Sequence, residues 1–152
     1  MVDKQTVIGA LQMIVTNLSQ QADGHAIQSR VFASCGYSKL AEKYAEHAAE
    51  EREYVRRCTD RILDIGGFVT NGAKMETPIF KDPVEWIKYD LAVSVEGLAE
   101  LERLLPVIHD DVTTYDLIKE YYMDEEQDMY WTETQLALIN DIGLQNWLVS
   151  QL

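Results

Sequence analysis

Apolar residues recur at steps of three and four along four long stretches of the chain, the period of an amphipathic helix. The first stretch runs from about Asp3 to Ala33, with Leu11, Ile14, Leu18, Ala22 and Phe32 on one face and His25 in phase between them. The segment "SCGYS" (Ser34 to Ser38) breaks the pattern, with Gly36 as the turn residue. A second helix is predicted from about Lys39 to Ile65, stopped by Gly66-Gly67. Phe68 to Lys81 is a long connection containing Pro78. "DPVE" then opens a third helix: Asp82 is the N-cap, Pro83 takes the first helical position and Glu85 completes a capping box. That helix runs to about Leu105, where Pro106 and "HDDVTT" interrupt. A fourth spans about Thr114 to Ile142 and stops at Gly143, and "GLQNWLVSQL" suits a short fifth.

A short turn, a long crossover and another short turn describe an all-α four-helix bundle. A crossover long enough to run the length of the bundle is the connection of ferritin-like folds. Residues 1–152 read as a single domain, without repeats or linkers.

The inward faces carry an anomaly. On the second helix the buried stripe reads Tyr44, His47, Glu51, Tyr54, Cys58, Ile62, Ile65. On the fourth it reads Ile118, Tyr121, Glu125, Asp128, Thr132, Gln135, Ile139, Ile142, whereas Asp124 and Glu126 fall on the solvated side. A buried carboxylate is costly unless it is hydrogen-bonded, protonated or bound to metal. Two solutions are open. Tyr54, Tyr121, His25, His47 and Ser94 have the phase to satisfy the acids by hydrogen bonding. Alternatively, carboxylates with a histidine in a bundle core are the ingredients of a di-iron or di-manganese site.

Composition narrows the partners. With 13 basic and 26 acidic residues the net charge is -13. Nucleic acid and anionic membrane are poor electrostatic matches, and cations are good ones. Cys35 and Cys58 have no metal or disulfide spacing, so reduced thiols and a cytoplasmic location are expected. The N-terminus lacks the pattern of a signal peptide, and no apolar run approaches the ~18 residues of a membrane helix. Cys58 reads as a small buried hydrophobe and His109 as a surface residue.

"QSRVF" followed by Gly36 and Leu40, then "DRILDIGG", "DLAVSVEG", "DEEQDMYWTETQLALI" and "GLQNWL", resemble bacterioferritin in their order and spacing, over essentially the whole chain. The resemblance implies an iron-storage shell of twenty-four subunits, to which the short fifth helix is suited. It also implies a di-iron ferroxidase centre built from one Glu on each of two helices and Glu-x-x-His on each of the others. At the matching positions this chain has Leu18, Glu51 with Tyr54, Ser94, and Glu125 with Asp128. Only Glu51 and Glu125 agree, so the expectation is a degenerate site with little or no ferroxidase activity. His25 stands where the family usually has tyrosine. A mononuclear or displaced iron site from His25, Glu51, Tyr54, Glu125 and Asp128 is one expectation; a pocket without metal is the other.

Two further family sites can be placed. The methionine that ligates haem at the two-fold interface corresponds to Arg52, which is not an iron ligand, so haem is not expected. Glu46 and Glu50, one turn apart, match a surface that faces the shell interior and carries additional iron; an ordinary solvated acidic face is the alternative. The expected role is therefore an iron-storage subunit, in a shell of its own or in one mixed with a second, catalytic ferritin-type subunit. A non-catalytic structural or metal-binding subunit is the alternative. A DNA-protecting mini-ferritin is disfavoured by the charge, the fifth helix and the lack of a basic tail.

Overall fold

Helix ends fall where the capping residues put them. The computed structural model describes residues 2–152. It contains α1 (Lys4–Ser34), α2 (Ser38–Asp64), α3 (Pro83–Leu104), α4 (Val112–Ile142) and α5 (Leu144–Val149). Gly36, at φ 88°, lets α1 turn back into α2, and Gly66, at φ 83°, ends α2. Asp82 accepts from the Val84 and Glu85 N–H groups at 2.8 and 3.3 Å and so caps α3. The fourth helix begins at Val112, two residues before Thr114, because Asp111 is its cap: Asp111 Oδ1 accepts from the Thr114 N–H at 3.1 Å. Arg61 braces this corner, reaching Asp111 at 2.8 Å and the Thr114 hydroxyl at 3.0 Å.

The crossover between α2 and α3 is held by glutamines of α1. The Gln12 side chain accepts from the Thr70 N–H at 2.9 Å and donates to the Thr70 carbonyl at 3.0 Å. The Gln20 carbonyl accepts from the Met75 N–H at 3.0 Å. Gln28 both accepts from the Phe80 N–H, at 3.0 Å, and donates to the Phe80 carbonyl, at 2.7 Å. These glutamines are eight residues apart, each about 80° further round α1 than the last, so the crossover winds obliquely along the helix as a strap. Its approach is close at Gly72, where a Cβ would stand 2.7 Å from the Thr16 side chain.

Two apolar clusters occupy opposite ends of the bundle. One gathers Leu11, Ile14 and Leu18 with Tyr54, Ile62, Leu101 and Ile118. The other gathers Phe32, Leu40 and Tyr44 with Trp86, Ile87 and Trp147. Each helix passes from one cluster to the other, and between them, beside Ala22, Ala48 and Leu98, it buries polar residues: His25 from α1, Glu51 from α2, Asp90 and Ser94 from α3, Glu125 from α4. The apolar ends supply roughly 1.5–3 kcal/mol per fully buried side chain, and they enclose a central layer that works against folding unless its charges are compensated.

Most of the expected inward positions are buried. Ile65 is half-buried, and Ile142, the last residue of α4, is 44% exposed. Trp147 on α5 is buried, with its indole N–H donating to Gln135 Oε1 at 3.0 Å, and the Lys39 N–H donates to the Gln151 carbonyl at 3.0 Å. The C-terminal segment thus closes one end of the bundle. Among the described residues no helix is long and apolar enough to cross a membrane.

Candidate functional site

The central layer is organised around His25. Its Nδ1 donates to Glu51 Oε1 at 2.5 Å and its Nε2 to Asp90 Oδ1 at 2.7 Å. Burial alone favours the neutral ring, but the charges of Glu51 and Asp90 hold the imidazole well above its ordinary pKa. His25 is therefore an imidazolium clamped between two carboxylates, an internal cation in the middle of the bundle.

His47 behaves oppositely. Burial, reinforced by the neighbouring His25 charge, pushes it down to about 4, so its ring is neutral near pH 7. Its Nε2 stands 3.5 Å from Asp128 Oδ1, too far for a good hydrogen bond, and has no hydrogen-bond partner. Glu51 Oε2 is buried and unpartnered as well, and the buried Tyr44 hydroxyl and Trp86 indole N–H, which interact with each other, form no well-aligned hydrogen bond. Tyr44, His47 and Trp86 all make ring contacts with His25, at centroid separations of 5.6, 5.6 and 5.8 Å. Polar atoms without a well-formed hydrogen bond thus gather around one imidazole.

Glu125 enters the same layer from α4. Burial, then the Glu51 charge, push its carboxyl up to about 8 against the opposing Ser94 hydroxyl. Asp128 is pushed up to about 7, by burial and by Glu50. The five residues proposed from sequence for the bundle site therefore divide. His25, Glu51, Glu125 and Asp128 converge on the pocket. Tyr54 does not join them, because its hydroxyl donates to Asp124. That contact also corrects the expectation for Asp124, which is half-buried rather than solvated. Leu18 is 2% exposed and packs in the apolar cluster that includes Tyr54 and Ile14.

Outside the layer, Glu46 is exposed and Glu50 is half-buried. The Glu50 carboxyl is raised by burial, then by the charge of Asp124 across the α2–α4 seam. Glu46, Glu50 and Asp124 thus form one acidic surface. Arg52, at the position matching the haem ligand, extends to Asp23 at 3.1 Å.

Sequence reasoning missed Asp90 as a site residue and assigned His47 only a hydrogen-bonding role. His25, His47 and Asp90 each point a ligand-type atom at a common space, the three atoms lying within 4.8 Å of one another. The signal for Asp90 was available: an acid at the same helical phase as Trp86 and Ile87 on one side and Ser94 on the other.

Comparison with known proteins agrees with this architecture. Residues 8–142 match the family model described as a ferritin-like domain. A protein named bacterial ferritin from Synechocystis is 29% identical, the alignment covering 98% of this chain and 97% of that one. The bacterial ferritin of Neisseria meningitidis serogroup B is 31% identical over 97% of each chain. A bacterioferritin from Mycobacterium avium is 28% identical, covering 78% of this chain and 76% of its own.

Proposed function

The chain belongs to the ferritin family, and from that premise we propose that it is an iron-storage shell subunit whose own di-iron centre has been lost. The observation that carries this reading is the fate of the four replaced ligand positions. Leu18 is an apolar core residue, and Tyr54 is committed to Asp124. Ser94 presents a hydroxyl to Glu125, and Asp128 lies beside His47. Two irons held symmetrically between Glu51 and Glu125 would lack two bridging or terminal carboxylates and both histidines. The residues do not fit a di-iron ferroxidase centre, and no oxidation step is assigned to them.

What remains suits storage. The assembly is a closed shell of this subunit, with twenty-four copies by the bacterioferritin likeness, or a mixed shell in which a second ferritin-type subunit oxidises iron. Glu46 and Glu50, joined by Asp124, form the surface on which incoming iron gathers. The charge of -13 gives the shell a strong attraction for ferrous and ferric ions. Iron is cargo here, and haem is no part of the site, since Arg52 offers no ligand to it.

The experiment is aerobic addition of ferrous iron to the purified assembly, followed by stopped-flow absorbance and sedimentation. A shell-sized particle that accumulates iron with no fast oxidation phase of two irons per subunit is expected. Restoring the four positions together, as L18E, Y54H, S94E and D128H, should create that phase. A fast phase in the unaltered protein contradicts loss of the centre; a dimer-sized particle that takes up no iron contradicts storage.

A further inference from the structure

We propose that His25, His47 and Asp90 form a mononuclear binding site for a divalent first-row transition-metal ion, displaced from the position of a di-iron centre. Two imidazoles and one carboxylate are a donor set that such ions accept readily. Three different helices supply them, α1, α2 and α3, and all three side chains are buried.

The geometry is close to what binding needs. Donors ~2.0–2.2 Å from a tetrahedral metal stand roughly 3.3–3.6 Å apart. The present separations of at most 4.8 Å close to that range by small side-chain rotations. His47 Nε2 is the independent sign of a ligand. It belongs to a residue only 4% exposed, faces this space and has no hydrogen-bond partner. The His25 ring is already fixed by Glu51, whose carboxylate accepts the hydrogen bond from its Nδ1–H at 2.5 Å. A histidine ligand oriented by a carboxylate on its far nitrogen is the usual support for a bound metal.

Charge balances as well. The metal takes the place of the proton between His25 Nε2 and Asp90, and that proton leaves to solvent. A dication with two neutral imidazoles, Asp90 and Glu51 then carries no net charge. Asp128, 3.5 Å from His47 Nε2, is placed to approach as a further donor. A way in exists: His25 and Asp90 line a 330 Å³ groove between α1 and α3 that is flanked by Gln20, Thr77, Glu96 and Glu100. The two glutamates lie one turn apart on α3, where they attract a cation toward the groove.

Storage and this site stand or fall separately, because occupancy is counted per subunit in whatever assembly forms. The test is anaerobic titration of the chelator-treated protein with Co2+, followed by its visible d–d absorption and by calorimetry. One tight Co2+ per subunit is expected. His47→Gln, which removes no existing hydrogen bond but some buried ring packing, should weaken that binding by about 100-fold or more in protein that is still folded by its metal-free melting curve. Glu51→Gln should weaken it by roughly 10–100-fold. A Glu46→Gln/Glu50→Gln variant, lacking the surface acids, should keep the tight ion. Equal Co2+ affinity in the unaltered and His47→Gln proteins overturns the site, as does loss of the tight ion in the surface variant alone.

Discussion

At the residue scale, the central layer is a problem in charge, and Glu125 is its clearest measure. The folded protein holds the Glu125 carboxyl near 8, above the ordinary carboxylate value, so folding favours its protonated form. Its contribution is fully present at acidic pH and is lost as pH rises toward 8. Glu125→Gln, neutral throughout, should therefore match the unaltered protein near pH 5 in metal-free buffer. Near pH 8 it should be more stable by about 2–4 kcal/mol. Thermal unfolding at the two pH values measures this, and an equal difference at both would contradict it. The same layer shows what side-chain periodicity can and cannot reveal. Glu51 and Glu125 were legible as buried because each sits in an unbroken run of inward positions. The clamp on His25 was not, because it joins residues 26 and 65 positions apart in the chain. Tyr54 misled for a related reason. Its helical phase is inward, but a hydroxyl at the end of a long ring is free to turn along the surface of the layer to Asp124.

At the scale of elements, caps and breakers made the helices legible to within about two residues. Gly36, Gly66, Asp82 and Gly143 act locally, and local chemistry is what a sequence states directly. The path of the crossover is different. Nothing periodic marks it, and its order comes from side-chain amides of α1 that read as ordinary polar positions. Gln28 is the strongest of these, fully buried and bonded to both backbone groups of Phe80. Gln28→Ala leaves that N–H and carbonyl without partners in a half-buried place, and should cost roughly 2–4 kcal/mol. Gln12→Ala removes a comparable pair of bonds to Thr70 in an exposed place, where water replaces them, so under about 1 kcal/mol is expected. Melting curves of the two variants rank them, and a larger loss for Gln12→Ala would mean that burial is not what gives the anchor its strength.

At the scale of the whole molecule, the bundle is two helical hairpins, α1–α2 and α3–α4, connected through one covalent segment. Both apolar clusters and the layer between them draw residues from both hairpins. Noncovalent contact therefore binds the hairpins together over the full length of the helices. Residues 71–79 of the strap are exposed throughout, and Lys74 lies among them, paired with Asp23 on the surface at 3.1 Å. Brief trypsin treatment of the native protein should cut after Lys74 before it cuts within any helix, and the two fragments should elute together on gel filtration. Separation of the fragments under native conditions would show that the intact strap is required. Co-elution would show that the continuity of the backbone there brings the halves together during folding rather than holding them afterwards. The protein is thus open to reconstitution from two separately made polypeptides, one carrying His25 and His47 and the other Asp90, so that the donors of a single site can be mixed and matched in the test tube.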